Sequence, residues 1–201
     1  FAGADLNTCL QGRPDTSPLA FAARGGHHKA VQALLAVGAV PETVALEAAA
    51  PTEPVDFNIL RTLLAAGGQP GPDCLCAAAK ADDFNMVQLL VEAGAAVGGC
   101  GAVALAAEAG NVAMVELLLA HGAHPDEYWG SIPALSRATI DGNVAAMCAL
   151  LAAGADVEIQ PHDTDFSRPL ALCPTVEAAR VVLAAGAVLE DPAQGYVALV
   201  H

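Results

Sequence analysis

The sequence predicts an all-α protein, a solenoid of stacked helical hairpins without one central core. Two aliphatic residues, two spacers, Gly and Ala recur along the whole chain of 201 residues, and successive copies of that glycine are 27 to 35 residues apart. Between them, apolar residues follow the three- and four-residue spacing of amphipathic helices. The glycines that end the motif are Gly3, Gly38, Gly67, Gly94, Gly122, Gly154 and Gly186.

Residues 103–123 show the repeating unit most clearly. Residues 103–109 are nearly all alanine, so this first helix presents a flat surface that a neighbour can approach closely. Gly110 ends the first helix in the left-handed conformation and Asn111 caps the second. Met114, Leu118 and their neighbours form the apolar stripe of the second helix. One hairpin cannot bury that stripe alone, so the pattern predicts a neighbouring hairpin on each side.

Residues 17–39, SPLAFAARGGHHKAVQALLAVGA, resemble an ankyrin repeat, a unit of 33 residues that opens with T-P-L-H-x-A. Ser17, Pro18, Leu19 and Ala22 fill matching places in that signature. The resemblance extends over essentially the whole chain, and the aromatic pattern of the tetratricopeptide repeat is absent. It implies an ankyrin-like solenoid whose copies bind other proteins and are not enzymes.

The chain holds six complete or nearly complete copies. We expect them to form a single cooperative array, because each repeat contacts only its neighbours. The sequence opens inside a second helix and closes inside a first helix, so we expect a segment of a longer protein. The copies span residues 17–40, 44–68, 73–97, 102–124, 133–157 and 169–189, with partial copies at 1–6 and 196–201.

Three copies depart from the pattern in ways that predict local structure. The second has Pro51 and Pro54 between its helices, which predicts a bulged turn. The third has Asp82 where other copies have the turn glycine. In the sixth, Pro174 cuts the first helix short and Thr175 is the expected cap of the second.

The connections between copies differ in length. In ankyrin proteins this segment forms a β-hairpin finger. Between copies one to four, only eight or nine residues separate the terminal glycine of one copy from the first core aliphatic residue of the next, which is too few for a full finger. We therefore expect tight turns between copies one to four, so that β-hairpin fingers are short or missing in the middle repeats. Longer fingers are expected at residues 4–16, 123–133 and 155–168.

Composition limits the classes of partner and of compartment. The net charge is −14, from 22 acidic and 8 basic residues, which disfavours nucleic acid and allows a basic or mixed protein partner. No uncharged apolar run reaches the length of roughly 18 residues that a membrane span requires, so we expect no direct membrane insertion. The first residues show no signal-peptide pattern, so none is expected. Six cysteines without a CxxC pair indicate a reducing intracellular compartment and favour the cytoplasm.

The few aromatic residues mark a candidate partner-binding edge. Tyr128 and Trp129 lie together on a predicted long finger, and Phe166 and Arg168 lie on the next. Two interpretations of Trp129 stay open: an interface anchor, or a side chain that plugs the base of its hairpin, which is also the favoured interpretation of Phe166. The acidic rim around these residues is expected to comprise Asp126, Glu127, Asp163 and Asp165.

No catalytic motif, cofactor-binding motif or metal-ligand spacing is present, so we expect no enzyme activity, no cofactor and no metal site. Asn7 occupies the turn position that is hydroxylated in some ankyrin proteins, although a turn asparagine that bonds backbone is favoured. The function hypothesis is a non-catalytic scaffold that binds a partner protein through its concave face and longer fingers. The alternatives are a regulatory or substrate-recognition segment of a larger enzyme, or an architectural subunit of a complex.

Overall fold

The computed structural model describes residues 7, 17–49, 57–160, 162 and 168–188. The chain forms two compact units, residues 1–96 and 97–201. The expected bulge around Pro51 and Pro54, the expected finger at residues 4–16 and the partial copies at 1–6 and 196–201 lie outside the described residues, apart from Asn7.

The first unit contains three helical hairpins. Each consists of two consecutive helices that pack against each other, and the first helices α1, α3 and α5 form a row in which α3 contacts both others. Helix α4 packs beside α2 in the same way. This is the arrangement that the repeated stripe predicts. The helices are α1 (Pro18–Arg24), α2 (His28–Ala36), α3 (Thr43–Ala49), α4 (Phe57–Ala65), α5 (Pro72–Lys80) and α6 (Phe84–Glu92).

The second unit repeats this arrangement and adds a β-hairpin. Helix α9 packs between α7 and a 3-10 helix, and α10 packs between α8 and α11. The β-hairpin precedes α9, and its first strand packs on α7. The elements are α7 (Ala102–Ala109), α8 (Val112–Ala120), β1 (Tyr128–Trp129), β2 (Ile132–Pro133), α9 (Ala134–Ile140), α10 (Val144–Ala152), the 3-10 helix (Pro169–Leu172) and α11 (Val176–Ala184).

The glycine that ends each copy has the same left-handed backbone in all six described copies, with φ between +87° and +100°. At Gly122 the turn is closed by two backbone hydrogen bonds, from Gly122 N–H to Leu119 O and from Ala123 N–H to Leu118 O, both 3.1 Å. This is the geometry that ends a helix with a left-handed glycine. The motif therefore marks equivalent corners of successive hairpins, as the sequence predicts.

Alanine allows the close packing of the first helices. Residues 102–107 of α7 are all buried, and four of these six are alanine. The second helices supply the larger side chains, among them Met114 and Leu118, both fully buried. Thus no copy encloses a core of its own, and the buried surface lies at the contacts between helices.

The irregular copies have the local structure that their residues predict. Thr175 caps α11, where its hydroxyl accepts a hydrogen bond from Ala178 N–H at 3.2 Å, and only a 3-10 helix precedes Pro174. Asp82 adopts φ +54° at the turn of the third copy, where other copies have glycine. Asp83 then caps α6 by accepting from Met86 N–H at 3.0 Å.

The connections also follow the prediction within the described residues. Residues 123–133 contain the β-hairpin, whereas the shorter connections at 37–42, 66–71 and 93–101 contain no strand. The connection at 155–168 is described only in part. Within the described residues, no helix is both long enough and apolar enough to cross a bilayer.

The five cysteines in the described part of the chain are all in the thiol form. Cys74 is fully buried in α5, and burial raises the pKa of its thiol to about 12. Burial likewise raises the pKa of Cys173 to about 11. Both groups are therefore neutral thiols near neutral pH, as expected for small buried side chains.

Candidate functional site

The finger of the fifth copy is a short, well-defined hairpin. Tyr128 pairs with Pro133 and Trp129 with Ile132 across two antiparallel strands. Gly130, at φ +64°, makes the turn, and Ala134 N–H donates to Glu127 O at 2.9 Å to close the base. The hairpin leads directly into α9, so its position is fixed relative to the helices of its own unit.

Trp129 lies against the backbone at the start of α7. A Cβ atom on Gly101 would come within 2.7 Å of Trp129 Cε3, so only glycine allows the indole to lie this close. Arg137 Nη2 donates to Trp129 O at 2.8 Å and fixes the strand from the other side. The Trp129 side chain is half-buried. Its geometry thus supports the hairpin-base interpretation, although Trp129 is not fully buried.

Tyr128 joins the finger at residues 123–133 to the connection at residues 155–168, which follows α10. Its ring stacks on His162 with 4.2 Å between centroids and 9° between planes. Its hydroxyl donates to Gln160 O at 2.9 Å, and His162 N–H donates to Ser131 O at 2.9 Å. Burial, followed by the charges of Asp126 and Asp156, raises the pKa of Tyr128. The phenol therefore remains a hydrogen-bond donor well above neutral pH.

Glu127 does not belong to an exposed acidic rim, and that part of the sequence interpretation is wrong. Its side chain is 8% exposed. Its carboxylate accepts hydrogen bonds from Gly99 N–H at 2.5 Å and Val103 N–H at 3.3 Å. Helix α7 begins after Gly101, which offers no capping side chain. The free N–H groups at that helix end need an acceptor, and Glu127 supplies it from the finger.

Asp126 takes part in a hydrogen bond that recurs along the chain. It accepts from Asp156 N–H at 2.8 Å, and Glu158 accepts from Val188 N–H at 2.8 Å. In the first unit, Asn7 accepts from Val40 N–H at 2.9 Å. Each acceptor lies 30 to 33 residues before its donor, so each connects one copy to the next. The amide of Asn7 therefore bonds the backbone of the following copy.

Arg168, at the start of the sixth copy, forms an ion pair with Glu158 at 2.9 Å. The ion pair joins two residues of the connection at 155–168, and the role of Arg168 in partner binding stays a prediction. Phe166, Asp163 and Asp165 lie outside the described residues.

Arg137 is the residue that the sequence interpretation missed. It forms an ion pair with Glu108 of α7 while it donates to Trp129 O. The one available signal was a single cation in the otherwise small or apolar helix ALSRATI, and such a residue is usually solvent-exposed. Arg137 instead joins the finger to two first helices. We call Tyr128, Trp129, Arg137 and Glu108 the finger site.

A family model described as "Ankyrin repeats (3 copies)" matches residues 46–128 and 75–161, which together cover more than half of the chain. The chain belongs to the ankyrin repeat family. The sequence-based resemblance is confirmed, and so is the all-α fold of stacked hairpins.

A curated relative is the Ankyrin repeat and KH domain-containing protein mask-1 of Caenorhabditis elegans, 35% identical over 128 residues. That match covers 55% of this ankyrin chain and 5% of the relative, so the chain corresponds to a small part of that protein.

Solved ankyrin repeat domains share the fold. The human ASB11 domain matches with a TM-score of 0.62 at 22% identity, over 94% of this chain and 90% of its own. A domain from Acinetobacter baumannii AYE matches with a TM-score of 0.62 at 24% identity, over 84% of this chain and 97% of its own. The domain of Bcl-3 matches with a TM-score of 0.62 at 24% identity, over 89% of this chain and 86% of its own.

Ankyrin repeats are generally protein–protein interaction modules and are typically non-enzymatic. The histidines near the finger have backbone partners: His121 Nδ1 lies 2.8 Å from Leu117 O, and His124 Nδ1 accepts from Asp126 N–H at 3.1 Å. Among the described residues, no three His, Cys, Asp or Glu side chains lie together as metal ligands.

Proposed function

We propose that this ankyrin array is a non-catalytic scaffold that binds a partner protein on its concave face and longer fingers, with the finger site as the anchor. The observation that carries the proposal is Trp129. It is the only tryptophan of the chain, it lies on a finger, and it is only half-buried. Tryptophan and arginine are the residue types most enriched among side chains that dominate binding energy.

The finger site is also held in place before any partner arrives. The indole rests on Gly101, Arg137 holds the Trp129 carbonyl, and Tyr128 is bonded to Gln160. A side chain that is already ordered loses little conformational entropy on binding, so more of its contact energy appears as affinity. This favours Trp129 as an anchor even though part of the ring serves the hairpin.

Charge indicates what kind of partner surface fits. Residues 97–201 contain 12 acidic residues and 3 arginines, a formal charge of −9. Complementary charge speeds association and excludes partners of like charge. The partner is therefore a protein with a basic segment that carries an apolar side chain for Trp129, and nucleic acid is disfavoured because its phosphates would be repelled.

A quantitative affinity capture with Trp129→Ala tests the anchor. A true partner should be retained at least about fivefold less by the variant, equivalent to about 1 kcal/mol. Val188→Ala is the matched control, because Val188 is also an exposed apolar residue of the second unit, at 63% exposure. The melting temperature of each variant shows whether folding has changed.

Equal retention of all captured proteins by the Trp129→Ala variant, with its fold intact, would contradict the proposal. A large loss of stability without loss of binding would assign Trp129 to the hairpin base alone. Because Trp129 is the sole tryptophan of this chain, titration of the chain with a purified partner should also change the fluorescence of Trp129.

A further inference from the structure

The first copy differs in charge from the rest of the chain. Residues 17–40 contain no aspartate or glutamate, whereas each of the other five copies contains at least one. The same residues contain Arg24 and Lys29, so two cations and no carboxylate give this copy a formal charge of +2 in a chain of −14. The first copy is therefore the part of the array whose charge favours an acidic partner.

The cations of the first copy are accompanied by one from the second copy. Arg24 lies in the last turn of α1 and Lys29 in the first turn of α2, and both are exposed. His28 Nε2 lies 3.1 Å from Thr62 Oγ1 of α4. Helix α4, which contacts this end of α2, adds the exposed Arg61. No carboxylate among the described residues forms an ion pair with any of these three cations.

An exposed aromatic side chain lies beside these charges. Phe21 of α1 is 50% exposed, and the guanidinium carbon of Arg24 lies 6.0 Å from the centre of its ring. This distance is within the range of a cation–π contact. The equivalent residues of the next two copies are Ala48 and Ala77, so no large side chain at that place in either copy encloses the ring. Because aromatic residues and arginine are enriched at protein interfaces, Phe21 and Arg24 are suited to contact a partner.

We propose that Phe21, Arg24, Lys29 and Arg61, which we call the basic surface, bind an acidic segment of a partner protein that carries an apolar side chain. The carboxylates of that segment pair with the three cations, and its apolar side chain packs on the phenylalanine ring. Charge complementarity identifies this partner, since the other copies carry carboxylates that repel it. It is distinct from the basic partner of the finger site, so the array binds proteins of opposite charge.

The range of electrostatic interactions favours a short protein segment over nucleic acid or anionic lipid. Exposed charges are screened beyond about 8 Å at physiological ionic strength, so a short acidic segment interacts chiefly with the basic surface. An extended polyanion also meets the surrounding carboxylates of a chain with 22 acidic residues. The ring of Phe21 gives such a polyanion little to contact, whereas an apolar side chain of a protein packs on it.

Peptide binding tests the basic surface. The probes are short fluorescein-labelled peptides of aspartate and glutamate that carry one leucine at different positions, and fluorescence anisotropy with the full chain measures Kd. For the peptide that binds best, we expect the Arg24→Gln, Lys29→Gln double variant to bind at least about fivefold more weakly. Phe21→Ala should weaken binding by at least about threefold. Replacement of the leucine by serine should weaken binding of the wild-type chain but add little in the Phe21→Ala variant, because both changes remove the same contact.

Three variants serve as controls, and a melting temperature for each shows that folding is unchanged. Arg180→Gln removes an exposed cation of the second unit, and Val37→Ala removes an apolar side chain that is 65% exposed. Both should leave peptide binding unchanged, and so should Trp129→Ala, which separates this surface from the finger site. The proposal would be overturned if no acidic peptide bound saturably, or if the Arg24→Gln, Lys29→Gln variant bound as well as the wild-type chain. Tighter binding of an oligonucleotide or of an anionic phospholipid vesicle than of the peptides would overturn it as well.

Discussion

At the scale of single residues, backbone conformation distinguishes equivalent turns. Gly26, Gly110 and Gly142 hold the turn between two helices with φ from +68° to +70°, and Asp82 holds the same turn at +54°. A side chain in the left-handed region costs on the order of 1–2 kcal/mol, although aspartate tolerates it better than most. The third copy therefore contains a local strain that the turns at Gly26, Gly110 and Gly142 lack.

Asp82→Gly should raise the free energy of unfolding by about 0.5–1 kcal/mol, because glycine adopts positive φ without steric cost. Urea unfolding followed by circular dichroism measures the change. Gly142→Ala is the converse control and should lower the free energy by about 1 kcal/mol. A less stable Asp82→Gly variant would show that the aspartate side chain contributes more than the strain costs.

At the scale of elements, a finger and a helix are joined by one carboxylate. Glu127 belongs to the finger, yet it accepts hydrogen bonds at the start of α7. These hydrogen bonds connect the fourth copy, which has no finger of its own, to the finger of the fifth copy. Elements of neighbouring copies therefore stabilise each other through polar contacts as well as apolar ones.

Glu127→Gln should lower the free energy of unfolding by roughly 1–3 kcal/mol, because the amide has one acceptor oxygen and turns a donor towards buried N–H groups. Urea unfolding followed by Trp129 fluorescence measures it beside the affected hairpin. Glu116→Gln, at an exposed site on α8, should change little. Equal values for the two variants would mean that the Glu127 carboxylate does not cap α7.

The elements also show what the sequence could predict. Helix existence, the helix-ending glycines and the finger at residues 123–133 follow from local spacing, since each depends on a few neighbouring residues. The roles of Glu127 and Arg137 do not, because each side chain acts on another copy, 24 to 29 residues away. Nothing in the local pattern distinguishes such a residue from an exposed charge.

At the scale of the whole molecule, we expect the contacts between copies to provide most of the stability. Leu118 of α8 is fully buried, and α8 packs against α7 of its own copy and against α10 of the next. Leu118→Ala should cost roughly 2–5 kcal/mol through the cavity that it leaves. Leu119→Ala on the same helix, at a half-buried site, should cost clearly less. Similar values from urea unfolding would contradict a shared interior at Leu118.

Whether the two units unfold together, as a single cooperative array, stays a prediction. In a linear array each copy contributes its own folding free energy and a term for each contact with a neighbour. We expect the contact terms to dominate, because α7 and α8 each pack against a helix of the next copy, α9 and α10 respectively.

The most direct test removes the neighbours. A synthetic peptide of residues 101–123 contains α7, α8 and their turn, each helix being 8 or 9 residues long. Isolated helices shorter than about 12–15 residues are marginal in water. We therefore expect circular dichroism to show little helix and no cooperative melting at 25 °C, whereas the same residues are helical in the full chain. A peptide that folded alone into a stable, cooperatively melting hairpin would contradict the account.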